Sequence, residues 1–319
     1  MNNNIKKYIP EMIMLCGLPA SGKSTYAKTF QKMGYNIHSS DEIRKELLGD
    51  VNAQDNNSYV FEVLHKRIKK DLSNNISCVY DATNLNMKKR NAFLNELKKI
   101  HCIKKCILFA IPLEVCKERN NHRERKMPDE VFDKMMKSFW IPMKYEGWDI
   151  IEVHTIPNYR YDYPISLTYN FDQKNSHHSM TLFDHMLQTA KYICKNADEK
   201  FKNTERYRNL IWAAHNHDIG KVVTQTFINA KGEQTEEAHY YGHDNAGAYL
   251  YLLSELYSNS FDPIFLDNIF YRSALINWHM RPYISWNISK KAMERDKKLL
   301  GDQMFCDVMK LHEADRAAH

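Results

Sequence analysis

The chain has 319 residues with 43% hydrophobic content and a formal net charge of +6, which is enough for two domains of ordinary size. Near the N-terminus, the short apolar run at residues 12–18 leads directly into glycine, so we expect neither a signal peptide nor a membrane span. The seven cysteines form no CxxC pair, which favours reduced thiols and a cytoplasmic location.

The charge and the histidines are unevenly distributed along the chain. Residues 1–157 carry 26 Lys and Arg against 19 Asp and Glu, so this part would attract phosphates. Ten of the 15 histidines lie after it, which suits metal chemistry in the second part. A stretch without helical period, rich in Asn, Ser and Tyr, separates the two. We therefore predict domains at residues 1–156 and 177–319, joined by a linker at 157–176.

A glycine-rich loop follows the first apolar segment, which predicts a strand, and a helical segment begins immediately afterwards. This order of strand, loop and helix is what a P-loop requires, although a glycine-rich turn can also arise by chance. In a P-loop, backbone N–H groups approach the phosphates, lysine reaches the outer phosphates, and the serine hydroxyl holds Mg²⁺. The sequence predicts an ATP and Mg²⁺ site made of Gly17, Gly22, Lys23, Ser24 and Thr25.

The next segments alternate between strand and helix patterns. The stretch "YNIHSSDEIRKEL" predicts a strand that ends near Asp41, with Arg44 one helical turn later. Such a position overlooks the phosphates in open α/β sheets; alternatively, Asp41 only caps a helix that starts at Glu42. A further strand ends at Asp81, and a helix over about residues 87–99 and the strand "KCILFAIP" follow. The alternation predicts an α/β domain with a mostly parallel sheet.

A basic stretch, "VCKERNNHRERKMP", completes this part. It predicts that Arg119 and Arg123 share one helical face, with Arg125 and Lys126 close by. Cations in this arrangement could close over a phosphoryl group during transfer. A solvated basic face is the commoner explanation of such a run.

Four segments resemble the 5′-hydroxyl polynucleotide kinase domain of phage end-healing enzymes in sequence and in order: "GLPASGKST", "SSDEIR", "DATNLNMKKR" and "ERNNHRERKMP". The resemblance implies that Asp41 is the general base on the 5′-hydroxyl and that Arg44 binds the end phosphate of the acceptor. It implies that Arg119 and Arg123 are lid arginines that stabilise the γ-phosphoryl group. Family members have aspartate directly before Thr-Asn, whereas this chain has alanine there and Asp81 one residue earlier, so a role for Asp81 stays open.

From Met180 onward the pattern is helical almost throughout. His185 lies on the apolar face of one predicted helix. His217 and Asp218 lie at the end of a second predicted helix, and Asp315 lies on the apolar face of a third. A buried aspartate without a partner is costly, and converging imidazoles and carboxylates are what a divalent metal requires. Taken singly, each histidine is more often a core residue than a ligand.

These residues resemble the metal ligands of the HD phosphohydrolase superfamily, which occur in the order His, His-Asp, Asp. The sequence around them is most similar to the HD domains of tRNA nucleotidyltransferases. The resemblance implies a catalytic metal such as Mn²⁺, Ni²⁺, Co²⁺, Fe²⁺ or Zn²⁺, held by His185, His217, Asp218 and Asp315. His243 and His279 match positions that serve a second metal or contact phosphate, and Lys221 would meet the substrate phosphate. The resemblance implies no role for His177, His178, His215, His239 and His312.

The two resemblances together imply a bifunctional end-healing enzyme. It would phosphorylate 5′-hydroxyl ends and remove a 3′-phosphate or 2′,3′-cyclic phosphate through a metal-activated water. RNA is favoured over DNA because cyclic phosphate ends arise from ribonuclease cleavage. The expected partner is an RNA ligase, which would join the healed ends. Two alternatives stay open: a nucleotide or small-molecule kinase fused to an HD nucleotide phosphohydrolase, and a regulatory module that senses ATP.

Overall fold

The computed structural model describes residues 8–50, 56–162, 164–175, 180–258 and 262–318. The chain divides into two units. The first contains the described residues up to Phe132 together with Pro142–Ile156, and the second contains Asp133–Ile141 and the described residues from Pro157 onward. One stretch of the predicted kinase region, Asp133–Ile141, thus belongs to the second unit.

A five-stranded parallel sheet forms the centre of the first unit. Its strands are β1 (Glu11–Gly17), β2 (Asn36–Ser39), β3 (Cys78–Asp81), β4 (Ile103–Phe109) and β5 (Ile150–His154). Their order across the sheet is β2-β3-β1-β4-β5, and every pair is parallel. The central strand β1 is almost wholly buried, as expected for a parallel sheet covered on both faces. The predicted parallel α/β architecture is confirmed.

The helices of this region are α1 (Lys23–Gln31), α2 (Ser40–Leu48), α3 (Asn57–Ser73), α4 (Met87–Glu96), α5 (Leu113–Asn121) and α6 (Asp129–Met136). Two of them correct the sequence interpretation. Helix α2 is capped by Ser39, whose hydroxyl accepts a hydrogen bond from the Glu42 N–H, so the interpretation of Asp41 as the cap is wrong. Helix α5 ends at Asn121, so the prediction that Arg119 and Arg123 share a helical face is wrong.

A fully buried ion pair fixes the loop after β3. Arg90 donates to both carboxylate oxygens of Glu146, at 2.8 and 2.7 Å. Its remaining Nη1 donates to the carbonyl oxygens of Asn84 and Leu85. The Asn84 amide in turn donates to the carbonyl of Leu15 on β1. This chain of bonds holds the end of β3 beside the end of β1, where the P-loop begins.

The second unit is mostly helical. Its helices are α7 (Leu182–Asn196), α8 (Glu199–Lys202), α9 (Glu205–Ala214), α10 (Lys221–Thr224), α11 (His243–Leu256), α12 (Leu266–Trp278) and α13 (Lys290–Ala317), with a short π-helix at Pro282–Trp286. An antiparallel hairpin of β6 (Thr226–Ile228) and β7 (Gln234–His239) was not expected, because the sequence of β7 is polar. No helix in the described part of the chain is long and apolar enough to cross a bilayer.

The turn after α9 carries the His-Asp pair. Because α9 ends at Ala214, His217 and Asp218 lie in the turn before α10, and the prediction that they lie on the end of the core helix is wrong. Gly220 ends this turn in close contact with α11, where an added Cβ would lie 2.0 Å from the carbonyl oxygen of His243. Glycine at this position therefore lets the turn approach the N-terminus of α11.

The stretch Asp133–Ile141 is hydrogen-bonded into the second unit. The fully buried Asn277 accepts from the N–H of Ile141 at 2.9 Å and donates to the carbonyl of Phe139 at 3.0 Å. The Asn245 amide donates to the carbonyl of Lys137 at 2.9 Å. These bonds attach the stretch to α11 and α12, close in sequence to two of the predicted metal ligands.

Candidate active sites

The P-loop lies between β1 and α1, as the sequence predicts. Gly22 has a φ of 100°, and a Cβ on Gly17 would lie 2.8 Å from the Cβ of Phe109, so both positions favour glycine. Lys23 is buried, and its Nζ donates to the carbonyl oxygens of Gly17 at 3.0 Å and Leu18 at 2.6 Å. Burial lowers the pKa of Lys23, and the nearby Asp81 carboxylate opposes this shift. The lysine therefore lies within the loop that would hold the phosphates.

Asp81, whose role the sequence left open, lies at the end of β3 next to this loop. The carboxyl is buried, which raises its pKa, while the Ser24 hydroxyl and the Lys23 ammonium lower it. In P-loop enzymes the serine or threonine of the loop and a strand-end aspartate together hold Mg²⁺. The hydroxyl of Ser24 and the carboxylate of Asp81 supply the oxygen donors that Mg²⁺ prefers.

A carboxylate with two arginines forms a second group in the first unit. Arg44 Nη1 lies 2.7 Å from Asp41 Oδ1, and Arg125 Nη1 lies 3.5 Å from the same oxygen. Arg44 is buried, and its Nη2 donates to Asn57 Oδ1 at 3.0 Å, whereas half of the Asp41 side chain is exposed. Arg44 Nε is buried and has no hydrogen-bond partner in the described part of the chain. Asn57 was not predicted from the sequence, and Arg125 was predicted only to lie close to Arg119 and Arg123.

A cleft of about 550 Å³ begins at the P-loop. The predicted lid arginines both line it, and Arg119 Nη1 donates to the carbonyl oxygen of Ser21 at 3.4 Å. Arg123 reaches the cleft from the loop after α5 and not from the helix itself. Tyr26 and His154 also line the cleft. Neither was predicted from the sequence, because neither belongs to a phosphate-binding motif.

In the second unit, the four first-metal ligands implied by the resemblance lie together. His185 Nε2 is 3.0 Å from Asp315 Oδ1 and 3.5 Å from Asp218 Oδ2. His217 Nε2 is 3.4 Å from Asp315 Oδ1 and 3.5 Å from Asp218 Oδ2. Single ligand atoms of His185, His217 and Asp218 lie within 4.8 Å of one another, so they could hold a metal ion.

The other oxygen of Asp218 belongs to a second group. Asp218 Oδ1 lies 3.1 Å from His243 Nε2 and 3.4 Å from His279 Nε2, and the two Nε2 atoms are 3.2 Å apart. This set, too, has ligand atoms within 4.8 Å of one another. Asp218 is therefore shared by two triads, which we name the first triad (His185, His217, Asp218) and the second triad (Asp218, His243, His279).

Neighbouring groups orient these ligands. The Nδ1 atoms of three histidines are paired with backbone carbonyls three residues earlier, at distances of 2.7 to 2.8 Å, in His217, His243 and His279. This pairing directs each Nε2 toward the carboxylates, as is usual for histidines that bind metal. Tyr283 donates to Asp315 Oδ2 at 3.0 Å, and Lys221 Nζ lies 2.8 Å from Asp218 Oδ2 and from Gln173 Oε1.

The electrostatics fit a cation. Burial alone would lower the pKa of His217, but Asp218 and Asp315 outweigh it and raise that pKa to about 9. Burial likewise opposes ionisation of Asp218, yet Lys221 and His217 hold the pKa of Asp218 well below its usual range. His217 Nε2 is buried and forms no hydrogen bond to the described residues. Buried imidazole nitrogens and carboxylates suit Mn²⁺, Fe²⁺, Co²⁺, Ni²⁺ or Zn²⁺.

Three histidines without a predicted role, His215, His239 and His312, lie outside both triads. His312 is buried, with its ring centroid 4.3 Å from that of Tyr283. His239 at the end of β7 stacks on Tyr241, and His215 is half-buried at the end of α9. His177 and His178 lie outside the described residues.

The fold and the two sites define a P-loop protein with a helical domain of metal-binding type. Residues 12–142 match the family model of the AAA domain, and residues 182–316 match that of the HD domain. The chain therefore joins a P-loop kinase domain to an HD domain, which confirms the predicted order of an α/β domain followed by a helical HD domain.

Several known proteins are similar to parts of the chain. The L-seryl-tRNA(Sec) kinase of Methanococcus maripaludis is 30% identical over 164 residues, 48% of this chain and 61% of that protein. Protein kti12 of Schizosaccharomyces pombe is 23% identical over 152 residues, 43% of this chain and 54% of that protein. The chain thus spans less than two thirds of either relative. One chain of a solved Pnkp1/Rnl/Hen1 complex is similar to 39% of this chain over 43% of its own length, at 21% identity and a TM-score of 0.34.

Proposed function

We propose that the protein heals nucleic-acid ends: its kinase domain phosphorylates 5′-hydroxyl ends, and its HD domain removes a 3′-phosphate or opens a 2′,3′-cyclic phosphate. The observation that carries the kinase half is the pair of Asp41 and Arg44. The exposed carboxylate can accept the proton of an incoming hydroxyl. The buried guanidinium can bind a phosphate of the same acceptor. A nucleotide end offers a hydroxyl and a neighbouring phosphate, whereas a free sugar lacks the phosphate.

Phosphoryl transfer at this site needs positioning and charge neutralisation more than covalent chemistry. Asp41 takes the hydroxyl proton as the oxygen attacks. Lys23, Arg119 and Arg123 stabilise the charge on the transferring group, with Lys23 at the loop and both arginines on the wall of the cleft. Ser24 and Asp81 would hold Mg²⁺ against the donor phosphates. The supporting geometry is the buried position of Asp81 beside Ser24 and Lys23.

In the HD domain, the first triad with Asp315 would hold the catalytic metal, and the second triad would hold another. A bound metal ion supplies a water of lowered pKa and neutralises charge that develops on the phosphoester. The protein orients the metal ligands through Tyr283 and the backbone carbonyls that pair with the histidines. Lys221 lies against Asp218, where its ammonium can contact a phosphate oxygen of the substrate.

We favour RNA over DNA as the substrate, and we expect the protein to act in the cytoplasm. The L-seryl-tRNA(Sec) kinase of Methanococcus maripaludis is, by its name, a kinase that acts on an RNA-linked group. A 2′,3′-cyclic phosphate requires the 2′-hydroxyl of RNA. The products, a 5′-phosphate and a 3′-hydroxyl, are the ends that a ligase joins, so an RNA ligase is the expected next enzyme.

An acceptor panel tests the kinase proposal against the small-molecule alternative. Transfer of radiolabelled γ-phosphate from ATP is measured with a 5′-hydroxyl RNA, a nucleoside 3′-phosphate, the nucleoside and a free sugar. We expect transfer to the first two acceptors and a large loss for the nucleoside, because it lacks the phosphate that Arg44 would bind. Arg44→Gln should remove this preference. Efficient transfer to the sugar or the nucleoside, with none to RNA, would support the alternative instead.

A further inference from the structure

The cleft at the P-loop extends beyond the phosphate-binding residues. Tyr26 and Thr29 are three residues apart on one face of α1, and Gly22 is the residue that precedes this helix. All three line the cleft, and His154 at the end of β5 lines it as well. The cleft is therefore lined both by basic side chains, including Lys23, and by aromatic side chains.

The two aromatic residues of the lining, Tyr26 and His154, pack on a buried residue. Phe109 is fully buried, and its ring centroid lies 4.7 Å from that of His154 and 5.5 Å from that of Tyr26. The rings of Tyr26 and His154 lie 5.1 Å apart with an interplanar angle of 46°. Both are only partly buried. Packing against Phe109 fixes the two rings while they remain accessible from the cleft.

We propose that Tyr26 and His154 form the subsite for the nucleobase of the nucleoside triphosphate that donates the phosphoryl group. A ligand that suits a cleft with both basic and aromatic side chains has an anionic part and a flat ring. A nucleoside triphosphate has this form. The proposal rests on the P-loop as the donor site and is independent of the acceptor.

Electrostatics support stacking at His154. Burial lowers the pKa of His154, and the positive charge of Arg119 lowers it further, so the imidazole is neutral at pH 7. A neutral ring stacks on a base without burying a charge. The Thr29 hydroxyl donates to the carbonyl oxygen of Tyr26 within the helix. Because the two rings offer faces for stacking, we expect the larger rings of adenine and guanine to bind more tightly than the smaller pyrimidines.

The test compares two ligands on the full chain without any acceptor. Dissociation constants of Mg²⁺-ATP and of Mg²⁺-tripolyphosphate, which has no base, are measured by calorimetry for the wild type and variants. We expect His154→Ala to weaken ATP on the order of tenfold while tripolyphosphate binding stays unchanged. His154→Phe, which keeps a flat ring, should restore most of the ATP affinity. Gln31→Ala, an exposed change at the end of the same helix, should alter neither constant.

A second variant guards against a structural effect of the first. Tyr26→Leu keeps apolar volume but removes the ring, so it should show the same selective loss of ATP affinity. Equal weakening of ATP and tripolyphosphate in both alanine and leucine variants would overturn the proposal, since it would show a general distortion of the loop. Unchanged ATP affinity in both would overturn it as well. Because no acceptor is present, a failure here is distinct from a failure of the end-healing proposal.

Discussion

At the scale of single residues, Asp218 is the side chain whose loss should affect metal binding most. One carboxylate oxygen faces His185 and His217, and the other faces His243 and His279. Loss of this side chain removes a donor from both triads, whereas loss of any one histidine removes a donor from one. The two kinds of variant should therefore differ in the amount of metal that they lose.

We expect wild-type protein to bind up to two transition-metal ions per chain. Asp218→Ala should bind close to none, and His279→Ala should keep the ion of the first triad. The matched control is Asp244→Asn, which changes another buried aspartate that follows a histidine but belongs to neither triad. Elemental analysis of protein loaded with Mn²⁺ and then desalted gives the stoichiometry. Full loading of Asp218→Ala would contradict the assignment.

Asp296 provides a prediction about pH. Burial opposes its ionisation, but Arg281, Trp286 and Arg295 outweigh this and lower its pKa in the folded state. A lowered folded pKa stabilises the protein above the unfolded value of about 3.9, and this stabilisation is lost as the pH falls through the folded value. Asp296→Asn should therefore destabilise the protein by about 2 kcal/mol at pH 7. Urea unfolding should show a constant difference from pH 8 to 5 that shrinks in stronger acid; a pH-independent difference would disprove this explanation.

At the scale of elements, the contacts between loops and strand ends determine both sites. The bonds of Arg90 to Glu146 and to the loop after β3 hold Asp81 beside the P-loop. We expect Glu146→Gln to cost about 3–5 kcal/mol, because it leaves the Arg90 charge buried without a counter-charge. Glu152→Gln, at an ion pair whose glutamate is half-exposed, should cost less than about 1 kcal/mol. Thermal unfolding of both variants measures the difference, and similar costs would refute the role of burial.

The close contact of Gly220 with α11 yields another prediction. A methyl group there would collide with the carbonyl of His243, so Gly220→Ala should push the turn away from α11. The distance between Asp218 and the second triad's histidines should grow, and the variant should bind about one metal ion less than wild type. His215→Ala, in the same turn but outside the triads, is the control. Undiminished metal loading of Gly220→Ala would show that the turn tolerates the methyl group.

At the scale of the whole molecule, the sequence predicted the structural features that are encoded in short motifs. The strand, loop and helix of the P-loop and the order of the HD ligands follow from local patterns, so the two fold classes were predictable. The end of α9 before His217 and the end of α5 before Arg123 were not, because a helical period continues past both ends. The bonds of Asn277 to Phe139 and Ile141 join residues far apart in sequence, and no local pattern indicates them.

We propose that one chain modifies both ends of a broken RNA. The measurement that tests it most directly uses a short RNA with a 5′-hydroxyl and a 2′,3′-cyclic phosphate, incubated with ATP, Mg²⁺ and Mn²⁺. Mass spectrometry then reads both ends for wild type, Asp41→Asn and Asp218→Ala. We expect wild type to add a 5′-phosphate and to remove the 3′-terminal phosphate, and each variant to lose only its own reaction. An RNA unchanged at both ends would contradict it.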